Sequence, residues 1–360
     1  MVADSRRTRR RSRHGARHGA WLALAAVALV GLAGVAVADD APHSHKVVYT
    51  DKAMGTIVQV TIWTPDEAAA ARAAQAVFKE IHRIDDLMTT WRDSELFRIN
   101  ANAGVAAVPV SDETIVVIDR ALDISKRSKG IFDITVGAFK GLWKFDEDMD
   151  GTLPDQAEVK KRLALVSWKD VLVDHKKKTV KLRRKGMAIT LGGIAKGYSV
   201  DKAVAILKGQ GLGNFIVQAG GDMYVAGDKG GAPWVVGIRD PRGGRDDSFA
   251  VAPVKDHSFS TSGDYERGFV KDGIRYHHIL DPRTGQPARA SRSVTIMATD
   301  AFTADAWSKV MFILGPEQAM KLVEDLPDFD AAWVDSKNQV KISSGLTKLL
   351  KIIHPPTDGV

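Results

Sequence analysis

Two adjacent histidines, His277 and His278, stand inside the stretch GDYERGFVKDGIRYHHILDPRTG (263–285), with Asp264, Arg267, Asp281, Arg283 and Thr284 around them. Polar side chains are ordinary at loop tips, and a surface hairpin can carry several of them without function. The imidazole pair points further, because histidine can take and return a proton near pH 7. A second candidate is ITLGGIAKGYSVDKAVAILKGQG (189–211), read as a strand end, the pair Gly192-Gly193, then Lys196 at the mouth of a helix. Glycines let a ligand approach the backbone, and a helix start offers free N–H groups, so phosphate is a natural guest. The pattern is neither a Walker loop nor G-x-G-x-x-G, and alone it fits an anion site and a tight packing turn equally. QAGGDMYVAG (218–227) repeats the motif with Gly220, Gly221 and Asp222, where a bulge or turn is the simpler reading. Asp305, placed in the first turn of a helix in FTADAWSKVMFILG, suits either the helix dipole or a hard cation such as Mg²⁺.

Two further stretches favour plainer readings. In DEDMDGTLPD (146–155), Asp146, Asp148, Asp150 and Gly151 match the start of an EF-hand loop, but position twelve is Ala157 instead of a bidentate glutamate. A solvated turn is the better reading. Phe132, Phe139, Trp143 and Phe145 form an aromatic cluster that reads as core, although it could also line a flat ligand.

The elements that must position these groups alternate between strands and a few helices. TIVQVTIW (56–63) has the alternation of a half-buried strand. Thr64-Pro65-Asp66-Glu67 reads as an N-cap, a first-turn proline and a capping-box glutamate, opening a helix to about Met88. Ala73, Val77, Ile81, Ile84 and Met88 then mark its buried face. A second helix is predicted over 112–129, stopped by Gly130. VLVDHKKKTVKL reads as a hairpin, and NFIVQAGGDMYVAG and WVVGIRDP as a pair. A helix beginning near Thr303 ends at Gly315-Pro316, which starts another. Short turns between strands favour an α+β fold with mixed or antiparallel sheets packed with helices. No repeat organises the chain.

The 360 residues carry a net charge of +7, but residues 1–38 hold seven arginines and one acid, so everything from Asp39 onward carries only +1. That balance argues against a nucleic-acid partner. The same leading segment, arginine-rich, then uncharged from Trp21 to Ala38 and closing Ala36-Val37-Ala38, reads as an export signal cut near Asp39. An uncleaved membrane anchor is the alternative, and both secretory and twin-arginine routes stay open. The catalytic domain is expected over 39–360, with 146–155 as a loop or sub-domain boundary. With no cysteine, thiolate chemistry and disulfides are excluded.

Taken in order, AMGTIVQV, IDDLMTTWRDSELFRIN, GIFDITVGAFKGLWKF, LGGIAKGYSVDKA, VQAGGDMYVAG, STSGDYER, HHILDPRTGQPA and TADAWSK make the chain resemble the ApbE family of FAD:protein FMN transferases, from about Met54 to Asp335. The resemblance implies an exported, periplasmic-side enzyme that uses FAD as substrate and Mg²⁺ as cofactor. It attaches FMN through a phosphoester to a threonine or serine of a partner, expected to be a membrane-associated electron-transfer protein, and releases AMP. It also implies roles: Met54 and Trp91 on the flavin side, Trp91 standing where many relatives have tyrosine; Ile131, Phe132 and Asp133 lining the nucleotide pocket; Thr190, where relatives often have aspartate, toward the adenosine. Lys196 would reach the phosphates, Ile279 would hold the ligand by its backbone, and His278 would deprotonate the acceptor hydroxyl, oriented by Asp264 or Asp281. His277 would support the hairpin. The metal ligands would be the Gly193 carbonyl, Asp305 and a threonine one helical turn later, but that position is Lys309. An ammonium cannot ligate Mg²⁺. Ser308 could substitute, Lys309 could swing outward, or the lysine could itself neutralise the pyrophosphate in a metal-independent or inactive relative; retained Mg²⁺ is the expectation. A periplasmic FAD-binding protein and an FAD pyrophosphatase are the rival readings.

Overall fold

Eight strands that follow one another in space as they do in sequence form the central sheet: β1 (His45–Ala53), β2 (Thr56–Thr64), β3 (Phe215–Ala219), β4 (Asp222–Ala226), β5 (His257–Gly263), β6 (Ser291–Ala298), β7 (Phe329–Asp335) and β8 (Val340–Ile342). Every neighbouring pair is antiparallel; β1–β2, β3–β4 and β7–β8 are joined by the short turns that predict this, and the other pairs are reached by longer connections. The computed structural model describes residues 43–145 and 148–360, so the segment read as an export signal, and Asp146 and Glu147 of the acidic loop, lie outside the described residues.

One face of the sheet is covered by helices. Helix α1 (Glu67–Met88) buries Ala73, Val77, Ile81, Ile84 and Met88, the face expected from their spacing. Its cap is Asp66, whose carboxylate accepts the Ala69 N–H at 2.8 Å, and not Thr64. Thr64 is the last residue of β2, so the strand overruns the position where the capping pattern places the helix start. The short α2 (Glu95–Ala101) leads to α3 (Asp112–Arg127), capped by Ser111 and closed by Gly130, whose N–H bonds to the Ser125 carbonyl at φ +83°. Helices α5 (Ala195–Gly209) and α6 (Ala301–Leu314) cross on the sheet, and α7 (Pro316–Glu324) follows directly, with α4 (Gln156–Leu163) set apart. Helix α6 starts at Ala301 behind the Asp300 cap, so Asp305 sits in its second turn, away from the dipole end.

The other face is covered by a small sheet, in which Trp234–Arg239 pairs with Ser248–Val254. The strand in WVVGIRDP therefore pairs outside the glycine hairpin, because Val236, Phe249 and Ala252 pack on Val225, Phe259 and Val334 as a separate core layer. VLVDHKKKTVKL is the hairpin expected of it. ITLGG is not a strand; Ile189 is held by the Asn100 side-chain amide and the Thr190 N–H by the Ile134 carbonyl. Phe139, Trp143 and Phe145 are buried core with Val159, as the plainer reading has it, and Phe132 is buried in the main core. In the acidic loop Asp150 pairs with Lys144 and accepts from Thr152, while Asp155 caps α4. Among the described residues no helix is long and apolar enough to cross a membrane.

Candidate active site

The crossing of α5 and α6 builds the charged centre. Gly197 makes it possible, since a Cβ there would lie 2.1 Å from the Ala301 carbonyl oxygen and 2.6 Å from the Asp305 Cβ. Its N–H donates to Asp305 Oδ2 at 2.8 Å. Lys196, one residue earlier, places Nζ 2.7 Å from Asp222 Oδ2 and 3.6 Å from Asp305 Oδ1. Asp222 reaches the centre because the Gly220-Gly221 turn brings β4 close to the β5 backbone: a Cβ on Gly221 would lie 2.3 Å from the Thr261 carbonyl oxygen. On α6, the Lys309 ammonium is ion-paired with Asp305 Oδ1 and lies 3.3 Å from the Ser308 hydroxyl. Two buried carboxylates thus share two ammonium groups.

Their electrostatics follow from that sharing. Burial opposes the charge of Asp305, but Lys196 and Lys309 outweigh it and hold the carboxyl below its ordinary range. Asp222 moves the other way, pushed up by burial and then by Asp305. Burial also opposes the charge on Lys196, yet Asp222 and Asp305 keep it protonated well above its ordinary value. Asp222 Oδ1 is buried and accepts no hydrogen bond from the described residues.

His278 follows the hairpin formed by the strands Gly268–Lys271 and Ile274–His277. Alternation turns His277 inward, where its Nε2 meets the Ala288 carbonyl at 2.8 Å, and leaves His278 exposed. The Arg267 carbonyl accepts from the His278 backbone N–H at 3.1 Å and faces its Nδ1 at 3.4 Å. A carbonyl can only accept, so Nδ1 carries the hydrogen and the Nε2 lone pair is left for another proton. Surrounding protein first, then His277, Arg267 and Lys309, push this imidazole below its ordinary pKa. The ring is neutral at pH 7. The orienting carboxylates expected from the sequence are engaged elsewhere: Asp264 is bound by both Arg242 Nη atoms at 2.7 and 2.8 Å, and Asp281 by Arg283. His277 does support the hairpin, and burial pushes its pKa down to about 4.

The remaining candidates divide into two groups. Met54 and Gly55, both at positive φ, form the two-residue turn of the β1–β2 hairpin, and Arg267 donates to the Gly55 carbonyl at 3.1 Å. The turn that carries Met54 is therefore linked through Gly55 and Arg267 to His278. Gly193 lies beside Phe132 and the stem of Lys309: a Cβ on it would sit 3.2 Å from Phe132 Cε2 and 3.9 Å from Lys309 Cγ. The others are held by their own loops. The Asp133 carboxylate accepts from Thr135 and the Trp168 N–H, and burial raises its pKa; it caps the short helix Ile134–Phe139. The Ile131 N–H donates to the Ser128 carbonyl, the Thr190 hydroxyl accepts from Gly192, and Ile279 donates to His277 Nδ1 and accepts from Ala288. Trp91 is exposed, with the Lys140 ammonium 3.8 Å over its ring. Asp222 and Arg267 were not singled out for this site by sequence reasoning, although both stand in quoted motifs; the glycine pair before Asp222 was the available signal.

The residues present do not fit the expected divalent ion. One oxygen of Asp305 is taken by Lys309 and the other by the Gly197 N–H, while Ser308 donates to the Asp305 carbonyl and shares a hydrogen bond with Ser262. Lys309 points inward, and Ser308 does not replace the missing threonine. Among the described residues no three His, Asp or Glu side chains converge as a metal cage.

The ApbE family model matches residues 54–333. The chain is 34% identical over 320 residues to the FAD:protein FMN transferase of Treponema pallidum (strain Nichols), covering 83% of this chain and 87% of that one. It is 33% identical over 298 residues to a FAD:protein FMN transferase of Klebsiella pneumoniae (strain 342), covering 82% and 91%. Among solved structures it resembles the ApbE protein of Thermotoga maritima, with TM-score 0.77 and 36% identity over 85% of this chain and 99% of that one. The flavin transferase ApbE of Vibrio cholerae superposes with TM-score 0.75 at 26% identity, again over 85% and 99%.

Proposed function

Since this chain belongs to the ApbE family and is a flavin transferase acting on FAD and a protein acceptor, we propose that it joins FMN to a threonine or serine hydroxyl and releases AMP. The observation that carries the chemistry is a neutral imidazole held by the Arg267 carbonyl with its Nε2 available, together with the half-buried Lys196 and Lys309 ammonium groups gathered on Asp222 and Asp305. The acceptor hydroxyl is a poor nucleophile until a base takes its proton. His278 Nε2 takes that proton as the oxygen attacks the FMN-side phosphorus, the new P–O bond forms, and the pyrophosphate P–O bond breaks with its electron pair leaving on AMP. The proton passes from the imidazole to solvent. Lys196 and Lys309 stabilise charge developing on the phosphates, and Arg267 fixes the imidazole through its carbonyl.

The flavin lies toward Met54 and Trp91, and the nucleotide toward Phe132, Gly193 and Thr190. Export to the periplasmic side, with an acceptor among membrane-associated electron-transfer proteins, is part of the same proposal and is supported by the arginine-rich, then uncharged, sequence before Asp39. The test incubates purified protein with FAD and a threonine-bearing acceptor peptide. Covalently fluorescent peptide is the expected product, whereas free FMN or unchanged FAD refutes transfer. His278→Ala is expected to lower transfer by about 10²–10⁴-fold while FAD is still bound. Undiminished transfer by that variant removes His278 as the base.

A further inference from the structure

We infer that the Lys309 ammonium takes the place of a divalent cation in this site, so that the pyrophosphate of FAD is met by an ammonium donor and not by metal; this rests on the flavin transferase reading above. Position is the first ground. Lys309 lies one helical turn after Asp305, on the same face of α6, and its ammonium contacts the carboxylate oxygen that a metal would need. Its side chain is only 15% exposed, so the charge is built into the site and does not lie on the surface.

Charge is the second ground. Lys196 and Lys309 already balance Asp222 and Asp305 one for one. Without FAD, a divalent ion placed among them would add two positive charges with no protein carboxylate to answer them, in a centre where Asp305 and Asp222 are fully buried. Donor supply is the third. Both Asp305 oxygens have partners, and Asp222 Oδ1 is the one carboxylate oxygen left over, so even with the Gly193 carbonyl the protein offers fewer ligands than the roughly six or more a hard cation takes. Meanwhile the ammonium has three N–H groups, of which Asp305 and the Ser308 hydroxyl engage two, leaving one for a phosphate oxygen. The stem of Lys309 runs past Gly193, so that donor lies beside the glycine loop.

The experiment titrates Mn²⁺ into the full-length protein, with and without FAD, following free Mn²⁺ by electron paramagnetic resonance. In parallel it measures FAD affinity by flavin fluorescence in EDTA and in Mg²⁺. Wild type is expected to take up no stoichiometric Mn²⁺ and to bind FAD within about twofold in the two buffers, whereas Lys309→Thr gains a Mn²⁺ site and binds FAD about tenfold more tightly with Mg²⁺. Stoichiometric Mn²⁺ on the wild type, or an FAD affinity that rises about tenfold with Mg²⁺, overturns the inference. So does a folded Lys309→Thr protein that gains no site. If that variant does not fold, the wild-type titration still decides. Wild type that binds no FAD in either buffer defeats the flavin reading itself, a result distinct from the Mn²⁺ outcome.

Discussion

Replacing Gly197 by alanine sets two physical effects against each other. In an uncrowded helix the change stabilises by about 1 kcal/mol, because alanine loses less backbone entropy than glycine. Here the added methyl would stand 2.1 Å from the Ala301 carbonyl oxygen and 2.6 Å from the Asp305 Cβ, so α5 and α6 must move apart. Overpacking of that kind costs about 1–3 kcal/mol. The separation also stretches the 2.8 Å bond from the Gly197 N–H to the Asp305 carboxylate, a charged acceptor whose loss costs about 1.5–3 kcal/mol. The balance is a net destabilisation of about 1.5–5 kcal/mol, read as a fall of about 1 M in the urea midpoint followed by tryptophan fluorescence. Gly209→Ala is the matched control, on the same helix with nothing within 4 Å of the added atom. It is expected to leave the midpoint unchanged or raise it. Were Gly197→Ala to behave like this control, the close crossing that builds the charged centre would be refuted.

Arg242→Ala leaves Asp264 buried without its bidentate partner and is expected to destabilise by about 3–5 kcal/mol in urea unfolding, with the double variant Arg242→Ala/Asp264→Ala recovering part of the loss. His277 gives a pH dependence. Its folded pKa of about 4 lies below the unfolded value of 6.5, so its contribution is fully present above pH 6.5 and is lost as pH falls toward 4. The loss amounts to about 3 kcal/mol at most, and His277→Gln is expected to remove that part of the slope in unfolding curves taken from pH 7 to pH 4.

What the sequence makes legible here is what local physics controls. The buried face of α1 follows from a four-four-three-four spacing of apolar residues, and Gly130 and the Gly315-Pro316 pair end helices where their backbone preferences require. Lys196 at the mouth of α5 was readable for the same reason. Partners distant in sequence were not. Asp264 looks like an orienter for His278 because it is near in the chain, yet Arg242, from the loop after the Trp234–Arg239 strand, claims both its oxygens. The group that does orient His278 is a main-chain carbonyl, and a carbonyl leaves no signature in residue type. WVVGIRDP has the composition of a strand but no mark of its partner, since either sheet would bury Val236 equally well. Lys309 is the reverse case: the departure from the family pattern is visible at once, but whether the ammonium turns inward depends on carboxylates from α6 and β4 that only the fold assembles.

Arg267 spans two distant parts of the molecule: its guanidinium grips the tip of the first hairpin while its carbonyl steadies the imidazole. A slip of one residue between β1 and β2 would withdraw the atom that the guanidinium holds. The His278 imidazole would then lose the contact that fixes its tautomer, with every side chain around it unchanged. Alignment of an edge strand with its neighbour is in this way also a setting of proton affinity.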